Sequence, residues 1–166
     1  MFVGKFTVTL AAGSLFRGSL EAPEGTHVVE PGWIGAAGLS WRVLEDEGAL
    51  PYVVLSASIG AASAATKLRD ERGDYVGLDF RFSATAGKTF FGWLSPYVSL
   101  RGFGGPIFWF VDDEASDDRK IRFGTDKYHF QGAVGAAFIL PENLDLFVEG
   151  QPGAEQGALG GLGWRY

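Results

Sequence analysis

The feature that most constrains this chain is an alternation of apolar and other side chains with a period of two residues. Successive side chains of a β-strand point to opposite faces, so each alternating segment predicts a strand with one apolar face. Eight such segments follow one another, and no Lys, Arg, Asp or Glu stands on their apolar faces. Those faces consist of alternate residues of Phe2–Leu10, Trp33–Val43, Val53–Ala61, Val76–Ala84, Val98–Gly104, Tyr128–Leu140, Leu144–Val148 and Ala158–Tyr166.

The length and composition of the chain favour one all-β domain over residues 1–166. Gly contributes 25 of the 166 residues and interrupts almost every candidate helix, at a cost of about 1 kcal/mol per interior glycine. The net charge of −6 argues against a nucleic-acid partner. The absence of Cys excludes disulfides and thiolate metal sites, and we expect no cofactor. The first residues lack the pattern of a signal peptide. Whether a leader was removed before residue 1 stays an open question.

The opposite faces of the predicted strands are polar and carry most of their charged side chains. Asp79, Arg81, Arg101 and Glu149 lie there, together with His129. In a soluble barrel or sandwich the apolar face points inward, whereas in a membrane barrel it points toward lipid. The alternation is the same in both, so periodicity alone does not decide between them.

The residues on the apolar faces favour lipid as their environment. These faces are rich in Gly, Ala and large aromatic side chains, whereas a small soluble core is built mainly from Leu, Ile and Val. Trp33 and Trp41 stand on one face, and on a tilted strand they lie roughly 20 Å apart along the membrane normal, near the ~25 Å height of the apolar band. We therefore predict an aromatic girdle. It consists of Trp33, Trp41, Trp164, Tyr166 and Tyr128.

The lengths of the connections also alternate. Links after the first, third, fifth and seventh strands are long or strongly polar: Gly18–Pro31, Lys67–Asp74, Asp112–Lys127 and Gly150–Gly157. Leu44–Leu50 and Pro141–Asn143 are short and turn-like, whereas Gly87–Ser95 is longer and aromatic. Long loops on one side and short turns on the other are typical of outer-membrane barrels.

Two prolines fit the strand pattern poorly, because proline removes a donor from the ladder. Gly104-Gly105-Pro106 predicts either a bulge or the upper end of the fifth strand. Pro152 has no evident place in the pattern.

The end of the chain carries the sharpest resemblance to a known family. Ala158, Gly160, Leu162, Trp164 and Tyr166 alternate and close on a terminal aromatic residue. The whole chain resembles the small eight-stranded outer-membrane β-barrels of Gram-negative bacteria, the OmpA/OmpX/OmpW-like group. The resemblance implies a closed antiparallel up-and-down transmembrane barrel with both termini periplasmic. It also implies outer-membrane lipid and lipopolysaccharide as surroundings, and the barrel-assembly machinery as a partner of the last strand.

The charged side chains predict a polar interior, or lumen, that is largely filled. Buried charges must pair, so we expect Arg81 and Arg101 to bond to Asp79 and Glu149, with His129 as a further hydrogen-bonding group. Such pairs plug the lumen, or they serve as the gate of a narrow channel. The acidic run that begins at Asp112 predicts a solvated loop tip, with contact to lipopolysaccharide as an alternative.

We expect the protein to have a non-enzymatic structural or interaction role through its outer loops. The sequence does not identify a protein partner. The second hypothesis is a narrow channel for ions or small molecules. A lipid A-modifying hydrolase needs a Ser–His pair, and Gln131 stands two residues after His129 where such a serine would be expected. A soluble lipocalin-like binder requires apolar side chains inside the barrel.

Overall fold

In the computed structural model, residues 2–3, 5–22, 25–68, 71–113, 118–153 and 156–164 are described. These residues form thirteen strands in one sheet and no helix. None of the described segments is a helix with the length and hydropathy to cross a membrane. The strands are β1 (Phe2–Val3), β2 (Phe6–Leu15), β3 (Gly18–Ala22), β4 (Gly25–Val29), β5 (Gly32–Leu44), β6 (Tyr52–Leu68), β7 (Glu71–Gly87), β8 (Leu94–Gly104), β9 (Pro106–Asp113), β10 (Asp118–Thr125), β11 (Phe130–Ile139), β12 (Leu144–Gln151) and β13 (Gly157–Trp164).

The predicted all-β fold with sequential antiparallel strands is confirmed. A two-residue strand, β1, pairs with Phe6 and Thr7 of β2 at one edge of the sheet. From there the main path runs β2-β5-β6-β7-β8-β11-β12-β13, and these eight strands correspond to the eight alternating segments in chain order. The sheet is an open half-barrel. Within the described residues, the first and last strands of this path, β2 and β13, do not pair with each other.

Three of the predicted loops contain β-structure. Gly18–Pro31 contains the hairpin β3–β4, and most of Asp112–Lys127 belongs to the hairpin β9–β10. Lys67–Asp74 extends the ladder of β6 and β7, which still pairs Leu68 with Glu71. These predictions were wrong because charged residues in the segments obscured short alternations such as Ile121 and Phe123 on β10. The turns at the opposite end of the sheet lie where they were expected, at 45–51, 88–93 and 140–143.

The ladder between β7 and β8–β9 has no bulge at Gly105. Phe80 pairs with Gly104 and Gly77 with Ile107, so one register continues past the glycine. A Cβ on Gly105 would lie 1.9 Å from the Leu78 carbonyl oxygen, which explains why glycine occupies this close approach. Pro106 begins β9, and Pro152 follows the end of β12.

The two faces of the sheet differ sharply in exposure. On the convex face, Leu10, Phe82 and Leu162 are 80%, 67% and 70% exposed. On the concave face, Gln131 and Glu149 are only 2% and 5% exposed. Apolar side chains therefore point outward and polar ones inward, which is the reverse of the arrangement in a soluble barrel.

Candidate functional site in the concave face

Glu149 is the centre of the most enclosed polar cluster on the concave face. Its side chain is 3% exposed, and Arg101 donates to Oε2 at 2.6 Å. The Tyr97 hydroxyl donates to the same oxygen at 3.0 Å, and Gln151 Nε2 donates to Oε1 at 2.9 Å. Gln131 extends the cluster by donating to Gln151 at 3.2 Å. These charge-assisted bonds offset the desolvation of the carboxylate.

A glycine makes this cluster sterically possible. Tyr97 on β8 and Glu149 on β12 both pair with Gly135 on β11, so the three residues form one row across the sheet. A Cβ on Gly135 would lie 2.6 Å from the Tyr97 ring, so the ring lies directly over the glycine. The tyrosine hydroxyl thereby reaches the carboxylate two strands away.

Asp79 and Arg81 form a second ion pair on β7. They share a face of the strand, and Arg81 Nε donates to Asp79 Oδ2 at 2.5 Å. The Arg81 guanidinium also lies over the Phe103 ring, 5.4 Å from its centroid. The four charged residues singled out from the sequence thus meet as two pairs, and no bond among the described residues joins one pair to the other.

His129 does not join either ion pair within the described part of the chain. It precedes β11 and is exposed, with Nδ1 3.2 Å from the Phe103 carbonyl oxygen. The ring lies beside Gly104, where a Cβ would be 3.0 Å from Nδ1. The role of His129 in a lumen network therefore stays a prediction.

Three of the residues singled out for the girdle, Trp33, Trp41 and Trp164, lie on the convex face near the ends of their strands, and Tyr128 lies just before β11. Trp33, Trp41, Trp164 and Tyr128 are each about half exposed, and Tyr166 lies outside the described residues. Trp41 stacks on Phe6 with ring centroids 6.0 Å apart. Sequence analysis missed Trp93, which stacks on Phe138 at 6.2 Å. The aromatic turn Gly87–Ser95 was the signal that could have identified it.

Small side chains line the concave face along β5 and β6. Ala36, Gly38, Ser58, Gly60 and Ala62 leave room beside the longer side chains of β7 and β8. Hydroxyl pairs continue the polar surface toward the short turns. They are Ser40–Ser56 at 2.8 Å, Thr85–Ser99 at 2.9 Å and Tyr52–Ser95 at 3.2 Å.

The long-loop end of the concave face is covered by a cluster around Trp109. Its Nε1 donates to Thr66 at 2.8 Å, and the Thr66 hydroxyl donates to the Gly73 carbonyl at 3.2 Å. The His27 ring meets Trp109 edge-on, with centroids 4.4 Å apart. His27 belongs to the segment Gly18–Pro31 that was predicted as a loop, but it lies on β4 and is 2% exposed.

A separate clasp joins two short turns outside the sheet. Lys88 Nζ donates to Asp46 at 2.6 Å and to the carbonyl oxygens of Gly48 and Leu50 at 2.7 and 3.0 Å. The Thr89 amide donates to the other Asp46 oxygen at 2.7 Å. The hydrogen bond from Lys88, reinforced by Thr89, lowers the pKa of Asp46 to about 2.

The chain has no match among protein-family models, curated proteins or solved structures.

Proposed function

We propose that this protein is an integral outer-membrane β-barrel with a non-enzymatic structural or interaction role. One observation carries the proposal: the convex face exposes large apolar side chains along all eight strands of the main path. Soluble monomers rarely expose apolar patches beyond a few hundred Å². A surface of this kind that surrounds a polar interior is suited to hydrocarbon.

The proposed barrel closes by pairing β2 with β13. The main path contains an even number of sequential antiparallel strands, so its first and last strands run antiparallel to each other. Unsatisfied backbone groups of an open edge cost several kcal/mol each in lipid, which closure avoids. Among the described residues, β13 pairs only with β12, and the outer edge of β2 pairs with β1 only at Phe6 and Thr7, so the rest of both edges is available for this pairing.

The ends of the strands support an orientation in the outer membrane. Short turns lie on the side of both termini, which we assign to the periplasm, and the hairpins β3–β4 and β9–β10 extend from the other side. In this orientation the hairpins face lipopolysaccharide and external partners. The resemblance of the last strand to outer-membrane barrels supports assembly by the barrel-assembly machinery.

The filled part of the lumen supports a structural role. The Glu149 cluster joins β8 and β12 directly and β11 through Gln131, and the Trp109 cluster covers the long-loop end. Both clusters hold neighbouring strands together across the concave face. We assign the interaction role to the projecting hairpins.

Quenching of tryptophan fluorescence by brominated lipid tests the proposal. Single-tryptophan variants that retain Trp41, Trp164 or Trp109 are reconstituted in vesicles, with the other tryptophans replaced by Phe. Trp41 and Trp164 lie on the convex face, whereas Trp109 is 7% exposed on the concave face and serves as the internal control. We expect strong quenching of Trp41 and Trp164 and weak quenching of Trp109. Equal quenching of all three would refute a lipid-facing convex surface.

Cysteine pairs test closure separately. The chain contains no Cys, so introduced pairs have no background. Leu10→Cys on β2 is combined in turn with Ala158→Cys, Gly160→Cys and Leu162→Cys on β13. The three combinations sample different registers in which β2 and β13 could pair. We expect one combination to form a disulfide in the folded protein and none after unfolding. Failure of every combination would leave the lipid-facing surface intact but refute closure between these strands.

A narrow channel is the second candidate function, favoured by the small side chains of β5 and β6. Cavities of 450 and 260 Å³ lie along this wall. Conductance in planar bilayers distinguishes the two functions. Steady ion steps would support a channel, whereas a silent bilayer that contains folded protein would support the plugged barrel.

A further inference from the structure

The larger of the two cavities along β5 and β6 lies on the concave face between two unlike walls. Its volume is 450 Å³. One wall consists of the short side chains of Ala36, Gly60 and Ala62 on β5 and β6. The other carries the side chains of Tyr75, Arg81 and Phe103, and Ile107 lies above them toward the long loops. The short side chains leave a volume that the opposite wall does not fill, and most of the lining is apolar.

The charges of the cavity leave it with one uncompensated carboxylate among the described residues. Asp79, Arg81 and Asp126 line it, and the first two neutralise each other through their 2.5 Å contact. Asp126 follows β10, at the long-loop end of the cavity. The charges of these described lining residues therefore sum to −1, which favours a cation over an anion as ligand.

Aromatic surface lies in the same cavity as this carboxylate. The Arg81 guanidinium already covers the Phe103 ring, 5.4 Å from its centroid. The Tyr75 ring lies against Gly77, where a Cβ would be 3.4 Å from Cε1, and it also lines the cavity. A carboxylate together with an aromatic ring is the chemistry that recognises quaternary ammonium groups and other organic cations.

We propose that this cavity binds a small organic cation with an apolar body. The cationic group lies between Asp126 and the Tyr75 ring, and the hydrocarbon part packs against Ala36, Ala62 and Ile107. This binding activity goes beyond the structural role proposed above. It requires the folded concave face, but it does not depend on lipid around the convex face.

Calorimetric titration tests the site with the folded chain in uncharged maltoside micelles. The probes are benzyltrimethylammonium, benzyl alcohol and phenylacetate, which present an aromatic ring with a positive, neutral or negative group. We expect the cation to bind at least about tenfold more tightly than the other two. Asp126→Asn should weaken cation binding about tenfold and leave benzyl alcohol binding unchanged. Ala62→Leu should fill the cavity and abolish binding of the cation.

The matched control is Glu142→Gln, which removes one negative charge in a short turn away from the cavity. It should leave the dissociation constant of the cation unchanged. The proposal would be overturned by equal affinity for the three probes or by an unchanged dissociation constant of the cation in Asp126→Asn. It would also be overturned if Glu142→Gln weakened cation binding as much as Asp126→Asn. The absence of detectable cation binding to folded protein would also overturn it. These outcomes are independent of the quenching result, so the two proposals can fail separately.

Discussion

The row Tyr97–Gly135–Glu149 shows how a single missing side chain shapes the concave face. Sequence patterning places Arg101 and Glu149 on one face of the sheet, and the structure brings their charged groups to 2.6 Å. The contribution of Tyr97 could not be predicted, because it depends on the register that places Gly135 between the two strands. The positions of the glycines in the sequence do not show which of them lies between Tyr97 and Glu149.

Replacement of Gly135 by Ala tests the row directly. The new Cβ would meet the Tyr97 ring at 2.6 Å and the Val148 carbonyl oxygen at 2.7 Å. We expect a loss of about 1–3 kcal/mol in the free energy of unfolding, which is typical of overpacking, measured by urea titration in micelles. Gly132→Ala on the same strand is the control, since a Cβ there meets nothing within 4 Å. Equal stability of both variants would contradict the steric role of Gly135.

Replacement of Glu149 by Gln tests the charge at the centre of the cluster. Arg101, 21% exposed, would lose its counter-ion while the shape of residue 149 is kept. Breaking a buried pair costs about 3–5 kcal/mol, whereas replacing both partners by apolar residues is often nearly neutral. We therefore expect urea titration to show a large loss in Glu149→Gln and a smaller one in the double variant Arg101→Met with Glu149→Leu. If the free energy of unfolding fell further in the double variant than in Glu149→Gln, packing rather than charge would dominate the stability of the cluster.

At the level of elements, period-two alternation predicted all eight strands of the main path but not the hairpins above them. The main strands alternate for long enough that occasional glycines do not obscure the pattern. In β3–β4 and β9–β10, charged residues such as Glu21 and Arg122 interrupt shorter alternations. The burial of His27 against Trp109 depends on both hairpins, so it could not be inferred from either segment alone.

The clasp between the turns at 45–51 and 88–93 predicts a dependence of stability on pH. The pKa of Asp46 falls from an ordinary value of 3.8 to about 2 in the folded protein. The clasp therefore contributes fully above pH 3.8, and its contribution is lost as the pH falls through about 2. We expect Asp46→Asn to lower the urea midpoint near neutral pH, and this difference from the wild type to vanish below about pH 2. Glu47→Gln in the same turn is the control and should show no such convergence.

For the whole molecule, the sequence predicted which residues share a face, but the alternation itself did not say which face is enclosed. That choice depends on curvature, a property of the assembled sheet. The small side chains of β5 and β6 and the ion pairs on the concave face agree with curvature around the polar side. The medium around the convex face is the remaining physical question, and the energetic cost of a charge placed there can answer it.

Two matched substitutions measure that cost at different heights. Ala37 pairs with Leu10 and Ile59, near the middle of the apolar face, whereas Ala84 pairs with Leu55, which itself pairs with the rim residue Trp41. In a bilayer, arginine on the lipid face costs about 2–4 kcal/mol at the midplane and about 0–1 near the interface. We expect Ala37→Arg to be the more destabilising variant by about 2 kcal/mol in vesicle refolding titrations. On a surface that faces water, both substitutions would stay within about 0.5 kcal/mol of the wild type. The difference between the two variants therefore reports the medium, because loss of the alanine methyl and gain of the arginine stem are common to both.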